Sequence, residues 1–247
     1  MINQLKSLKI TPIDYPDSDG QPMADNTEQF EWIVVIKENL ESLFAEISDV
    51  FVAGNLLWYP VEGSLLRQAP DAMVAFGRPK GRRGSYRQWE EGNIAPQVVF
   101  EILSPGNTLK EMAKKWQFYQ DYGVLEYYLY DPSKNDLTGW QRIEHQLQVI
   151  ETLNGWVSPL LQIRFELTDE TLEIYDSNGE KFLTFVELKR RAETERQRAE
   201  FERQRADTAE QRADTAEQQV ALERQRAETA TARLQELEAK LRDLGQL

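Results

Sequence analysis

Residues 96–132 read PQVVFEILSPGNTLKEMAKKWQFYQDYGVLEYYLYDP, and the rest of the chain is organised around them. The apolar runs 98–103 and 124–130 are too short for typical helices and rich in β-branched and aromatic residues. Each predicts a buried strand. Between them, residues 108–122 have helical spacing, with Leu109, Met112, Trp116 and Tyr119 on one side. Asn107 or Thr108 can cap the start of this helix, and Gly123 suits the left-handed residue that ends it. The unit is strand–helix–strand, long enough for a parallel crossover. Glu101 interrupts the run VVFEIL. An isolated carboxylate in an apolar strand is costly, so it calls for a cation, a metal or a strand end that reaches water.

Outward from this unit, residues 1–26 are polar, with Pro12, Pro16, Gly20 and Pro22 and no periodicity, which predicts an irregular arm. Asn26 or Thr27 then opens a helix to about Phe44, with Phe30, Ile33, Val34, Leu40 and Phe44 as its packed stripe. VFVAGNLLWYP, residues 50–60, predicts a strand broken or bulged at Gly54 and Asn55. APDAMVAFG, residues 69–77, is another short apolar strand, entered through Pro70 and Asp71. The order is helix, strand, strand, strand, helix, strand. Beyond Pro132 come hairpin signals, 139–143 with 146–151 and 171–175 with 181–185. Asn154–Gly155 and Asn178–Gly179 are the turn dipeptides. These strands are expected to extend or cover the sheet.

From about Leu188 the composition changes. Arg191, Arg198, Arg205, Arg212, Arg226 and Arg233 recur at multiples of seven, and RADTAEQ occurs twice in succession at 205–211 and 212–218. With Ala192, Ala199, Ala206, Ala213, Val220, Ala227, Leu234 and Leu241 at heptad position a, position d holds Glu195, Glu202, Ala209, Ala216, Glu223, Ala230, Leu237 and Leu244. Only the last two heptads carry a leucine seam. Alanines and Glu–Arg pairs favour a long helix. It reads either as a coiled-coil oligomerisation arm or as a solvated single helix or partly disordered tail. The chain divides into an N-terminal arm (1–26), an α/β domain (27–186) and a helical arm (187–247).

The composition narrows the chemistry. With no cysteine among 247 residues, disulfides, thiolate zinc sites and cysteine nucleophiles are excluded. His145 is the only histidine, so a multi-histidine metal cluster is excluded too. No signal peptide and no apolar run near the ~20 residues of a membrane span are present; the expectation is a cytoplasmic protein without a membrane partner. The net charge is −13. Residues 187–247 hold 13 Lys+Arg against 14 Asp+Glu, which leaves −12 on the first 186. So acidic a domain does not coat itself in nucleic acid by bulk electrostatics; any such contact is local.

Asp71 begins one strand and Glu101 interrupts another. If those strands are neighbours, the two carboxylates meet at one end of the sheet. Two oxygen-donor acids, with water in the remaining positions, suit a hard cation such as Mg²⁺ or Mn²⁺. Such an ion activates water and neutralises charge developing during phosphodiester cleavage. The plainer alternatives are a turn cap for Asp71 and a salt bridge to a neighbouring helix for Glu101.

Pro70–Asp71, Glu101-Ile-Leu-Ser-Pro, Lys115-Trp-Gln-Phe-Tyr, Gly123–Val124 and Glu126-Tyr-Tyr-Leu-Tyr-Asp-Pro closely resemble the Uma-two family of restriction endonucleases, within the PD-(D/E)xK nuclease-like superfamily. The resemblance covers roughly residues 30–165. It implies a three-layered α/β core with a mixed sheet and metal-dependent cleavage of DNA, with the superfamily's acids falling on Asp71 and Glu101. It does not separate DNA from RNA. The superfamily lysine, two residues after the acid, falls on Leu103, which has no amine. In the Uma-two pattern a lysine on the following helix matches Lys115 instead. From there an ammonium could orient or deprotonate the attacking water, while the alternative is an ordinary solvated lysine. Glu111, four residues earlier, could pair with Lys115 or serve as a further acid.

The loop RPKGRRGSYR, residues 78–87, carries Arg78, Lys80, Arg82, Arg83 and Arg87 and no acid. It is the best sequence candidate for a phosphate-contacting loop; the alternative is a solvated loop balanced by Glu90 and Glu91. A second functional class stays open: a nuclease-like domain without activity, kept as a binding or assembly module and joined to copies of itself through its helical arm.

Overall fold

The computed structural model describes residues 13–18, 20 and 22–243. Residues 1–12 of the N-terminal arm and Leu244 of the expected leucine seam lie outside the described residues. Contacts divide the chain into two units, residues 1–185 and 186–247.

In the first unit, Asn26 caps α1 (Thr27–Leu43), its side chain accepting the Gln29 amide at 2.8 Å. β1 (Val50–Gly54) follows, and the chain turns at Asn55, whose φ of 49° lies in the left-handed region, before β2 (Trp58–Tyr59). Then come β3 (Ala72–Phe76), β4 (Tyr86–Arg87) and β5 (Val98–Ile102). Thr108 caps α2 (Leu109–Asp121), and Gly123, at φ 88°, turns the chain toward β6 (Glu126–Asp131). The hairpin β7 (Asp136–Ile143) and β8 (Gln146–Val149) is followed by β9 (Arg164–Leu167) and β10 (Leu172–Tyr175).

Six strands form one sheet in the order β1-β3-β5-β6-β7-β8. Only β5 and β6 run parallel, as the α2 crossover requires, so the sheet is mixed. Side chains alternate between its faces with period 2. Val74, Val98, Phe100 and Ile102 pack with Ile33, Ile36 and Leu40 of α1, with Phe44 just after it, and with Ile163, Phe165 and Ile174 from the β9–β10 region. Met73, Ala75 and Val99 face the other way, onto Phe118 and Tyr119 of α2, Trp58 of β2 and Tyr86 of β4. The domain is a three-layered, restriction-endonuclease-like α/β core, as the sequence implies. A fully buried residue such as Leu40 or Ile36 contributes about 1.5–3 kcal/mol through removal of apolar surface from water.

The details depart from expectation at three places. The buried arc of α1 is Gln29, Ile33, Ile36 and Leu40, whereas Phe30 is exposed and Val34 half-buried. On α2 the expected Tyr119 is buried and Trp116 packs beside it, but Phe118 joins them and Leu109 is 89% exposed. Its place in the first turn leaves it beyond the layer that the helix covers. Finally, the hairpin expected between 171–175 and 181–185 forms only next to its turn. β10 pairs with β9, and the later segment meets it through the Tyr175–Lys181 bridge and the backbone bonds from Phe182 to Ile174 and from Asp176 to Glu180, before Phe185 enters the next helix.

That helix, α3 (Phe185–Asp243), makes up the second unit. Its described side chains are exposed throughout. Local i,i+4 pairs such as Arg191–Glu195, Arg224–Glu228 and Lys240–Glu236 line its surface. Each is worth only a few tenths of a kcal/mol, about 0.3–0.5.

Candidate functional site

Strand register assembles the site. β3 and β5 are antiparallel, with Ala72 opposite Phe100 and Met73 opposite Val99. One step further along the same register puts Asp71 opposite Glu101, and opposed residues point to the same face. That face is the one covered by α2. The Ile102 amide donates to Asp71 Oδ2 at 2.7 Å and holds the aspartate at the strand end. Glu101 is 1% exposed. Its Oε2 lies 2.7 Å from Lys115 Nζ, and its Oε1 accepts the Tyr119 hydroxyl. Lys115 and Tyr119 are four residues apart on α2 and so share a helix face.

The charges do not balance. Burial pushes the Asp71 carboxyl well above its usual range, and the Glu101 charge pushes it further. The Lys115 ammonium and the Ile102 amide oppose this without cancelling it. Burial pulls Lys115 down, but the charges of Glu101 and Asp71 outweigh it, and the ammonium is held more firmly than a free lysine's. Burial, then Glu101, also raises Tyr119 well above a free phenol, so its hydroxyl remains a donor. The buried Tyr127 hydroxyl has no hydrogen-bond partner among the described residues. Burial and the charges of Glu101 and Asp71 raise it too.

Asp71 and Lys115 open onto a cleft of about 600 Å³ whose wall also includes Asp25, Gln29, Arg67, Gln68 and Glu111. Gln29 ties α1 to the site by donating to the Ile102 carbonyl at 2.9 Å. Glu111 acts on Lys115 through its charge, but the lysine's ion pair is with Glu101. The structure thus brings Asp71, Glu101 and Lys115 together.

The five loop cations lie elsewhere and are mostly engaged within the domain. Arg78 and Arg83 both grip Glu91, at 2.8 and 2.6 Å, and Arg83 also lies 3.9 Å from the Phe51 ring centre. Lys80 donates to the Phe44 and Ala45 carbonyls at the end of α1, and Arg87 pairs with Glu90. Arg82 alone among these five is exposed with no ion pair or hydrogen bond to the described residues.

Two contributors escaped the sequence reading. The hydroxyl of Tyr119 holds Glu101, although the spacing from Lys115 already put both on one face. Arg67 lines the cleft, resting 5.8 Å from the Tyr59 ring centre, and meets no carboxylate among the described residues. Its only sequence signal is that it is a cation in the segment leading into Asp71.

A mixed sheet between helical layers, with two acids converging at the ends of adjacent strands, is the arrangement of a restriction-endonuclease-like fold. The model of the Uma2 family, described as "Putative restriction endonuclease", matches residues 19–175, and the chain belongs to that family. A solved structure from Anabaena variabilis ATCC 29413, described as "a putative nuclease belonging to DUF820", is similar at 15% identity with a TM-score of 0.42. The similarity covers 54% of this chain and 72% of that one. No curated protein matches the chain.

Proposed function

We propose that the protein is a divalent-metal-dependent endonuclease that hydrolyses DNA phosphodiester bonds, with Asp71 and Glu101 as the Mg²⁺ or Mn²⁺ ligands. The observation that carries this reading is a buried pair of neighbouring carboxylates beside a single ammonium, with Asp71 and Lys115 at the wall of an open cleft and Glu101 behind them. Hard oxygen donors in that arrangement fit a hard cation. Among the described residues no group of three or more His, Asp or Glu is placed to hold an ion, so the protein would supply two ligands and leave the other positions to water or substrate. When bound, the cation would activate water and neutralise charge developing on the phosphate.

The side chains would perform the remaining work. Tyr119 fixes one Glu101 oxygen and the Ile102 amide fixes one Asp71 oxygen, so both ligands are oriented in advance. Lys115 is held as a charged ammonium by Glu101 and Asp71, which suits it to a donor's role rather than a base's. It would orient the attacking water or stabilise the phosphorane-like charge. Arg67, at the cleft wall, would contact a substrate phosphate. Of the basic loop, Arg82 remains free to join it. The exposed seam of α3 would pair with other copies of the chain. No described helix is long and apolar enough to cross a membrane, and we place the protein in the cytoplasm.

Cleavage assays on supercoiled, linear and single-stranded DNA and on RNA, with Mg²⁺, Mn²⁺ or chelator, test this reading. Wild type should cut DNA only with metal, and Asp71→Asn and Glu101→Gln should not cut. Lys115→Ala should slow turnover by about 10²–10³. Arg67→Ala should weaken DNA binding and lower its salt slope by about 1. The rival reading, a binding or assembly module without activity, has its own support: both Glu101 oxygens already have protein partners. Absence of cleavage on every substrate and with every metal would favour that rival.

A further inference from the structure

The 59-residue helix α3 carries a charge pattern that specifies how it pairs. Carrying the heptad frame one step back places the exposed Phe185 at a and Leu188 at d, so apolar residues mark both ends of the arm. Between them, every d position except Ala230, which precedes Thr231, is of one of two kinds. Where d is Glu195, Glu202 or Glu223, the next residue, at e, is arginine: Arg196, Arg203 and Arg224. Where d is Ala209, Ala216 or Leu237, position e is glutamate: Glu210, Glu217 and Glu238. Position g is basic at Arg198, Arg205, Arg212, Arg226, Arg233 and Lys240.

We infer that α3 pairs with α3 of a second copy of this chain, parallel and in register. The inference rests on the self-association proposed above and adds its geometry. In a parallel coiled coil, g meets e of the following heptad on the other helix, and d packs beside e of its own heptad. Arg205, Arg212 and Arg233 then meet Glu210, Glu217 and Glu238 of the second copy. Each d glutamate, in turn, lies beside an arginine of the second copy at e. The like pairs that this frame creates, Arg191 with Arg196 and Arg198 with Arg203, flank Glu195 and Glu202, which offset them. An antiparallel pair instead sets g against g. That faces a row of arginines and a lysine with another such row, whichever register is chosen. An antiparallel pair can match opposite charges at e, such as Arg196 with Glu238, but only by setting the basic g rows against each other, which the parallel arrangement avoids. Both globular domains are then attached to the same end of the paired helices.

The cysteine-free chain makes orientation directly readable. In separate full-length variants, Ala199→Cys and Leu234→Cys place a thiol at position a, near opposite ends of the arm. Gln211→Cys, at outward position f, is the control. Light scattering should give the mass of two chains. Under oxidation both a-position variants should form disulfide-linked dimers, while the control stays largely uncrosslinked. A two-chain species in which only one or neither a-position variant crosslinks would overturn the parallel register. A mass above two chains would overturn the pairing stoichiometry. A monomer at high concentration would remove self-association altogether, and no outcome depends on cleavage.

Discussion

Two carboxylates and one ammonium meet where β3 begins and β5 ends, and their imbalance has a thermodynamic signature. Asp71 is held well above its ordinary value by burial and by Glu101. The native state therefore binds that proton more tightly than the unfolded chain does. The stability this confers is present below the unfolded pKa and is lost as pH rises through the folded one. Metal-free wild type should lose melting temperature across that window, while Asp71→Asn, which has no proton to lose, should not. Melts of both proteins from about pH 4 to pH 9 check this; parallel curves would contradict it. A cation would displace the same proton, so its affinity should rise with pH. Tyr119→Phe leaves a Glu101 oxygen without its donor and should destabilise the fold by about 1–3 kcal/mol, measured by denaturant unfolding. Glu101 was legible in the sequence because an acid stands out inside a continuous apolar run, and Asp71 because it enters the neighbouring run after Pro70 at a position that the family resemblance marks. Tyr119 was not, because a tyrosine on a packed helix face reads as packing until its hydroxyl partner is known.

Elements that speak through local chemistry were legible: Asn26 and Thr108 cap their helices, and Gly123 ends α2 in the left-handed region. Tertiary choices were not. Spacing alone cannot say which edge of an apolar arc meets the sheet, so Ile36 was passed over and the exposed Phe30 included. Asn178–Gly179 does form a turn, with Gly179 at φ 79°. The partner of β10 is nevertheless β9, whose sequence RFEL alternates charge with a single fully buried residue, Phe165. The basic loop shows the same limit: its cations were visible, but their grip on Glu91 depends on how residues 78–91 fold back. Glu91→Gln should release Arg78 and Arg83, cost the fold about 1–3 kcal/mol and raise DNA affinity with a steeper salt dependence. Filter binding over a salt series checks this, and unchanged affinity would show that these arginines do not reach nucleic acid.

At the scale of the whole molecule, an acidic α/β unit and a highly charged helix are separate bodies of one chain. Truncation near Glu187 should leave the first unit folded, with a cooperative melt close to that of the intact chain, because its hydrophobic core is complete without α3. A broad or missing transition would show that the arm supports the core. The central claim is that Asp71 and Glu101 hold a divalent cation, and a calorimetric titration of the full chain with Mn²⁺ tests it most directly. The account predicts saturable binding in wild type and loss of binding in Asp71→Asn and Glu101→Gln. Lys115→Ala should bind at least as tightly as wild type, since the ammonium no longer competes for Glu101. Absence of binding in wild type, or unchanged binding in both acid variants, would contradict it.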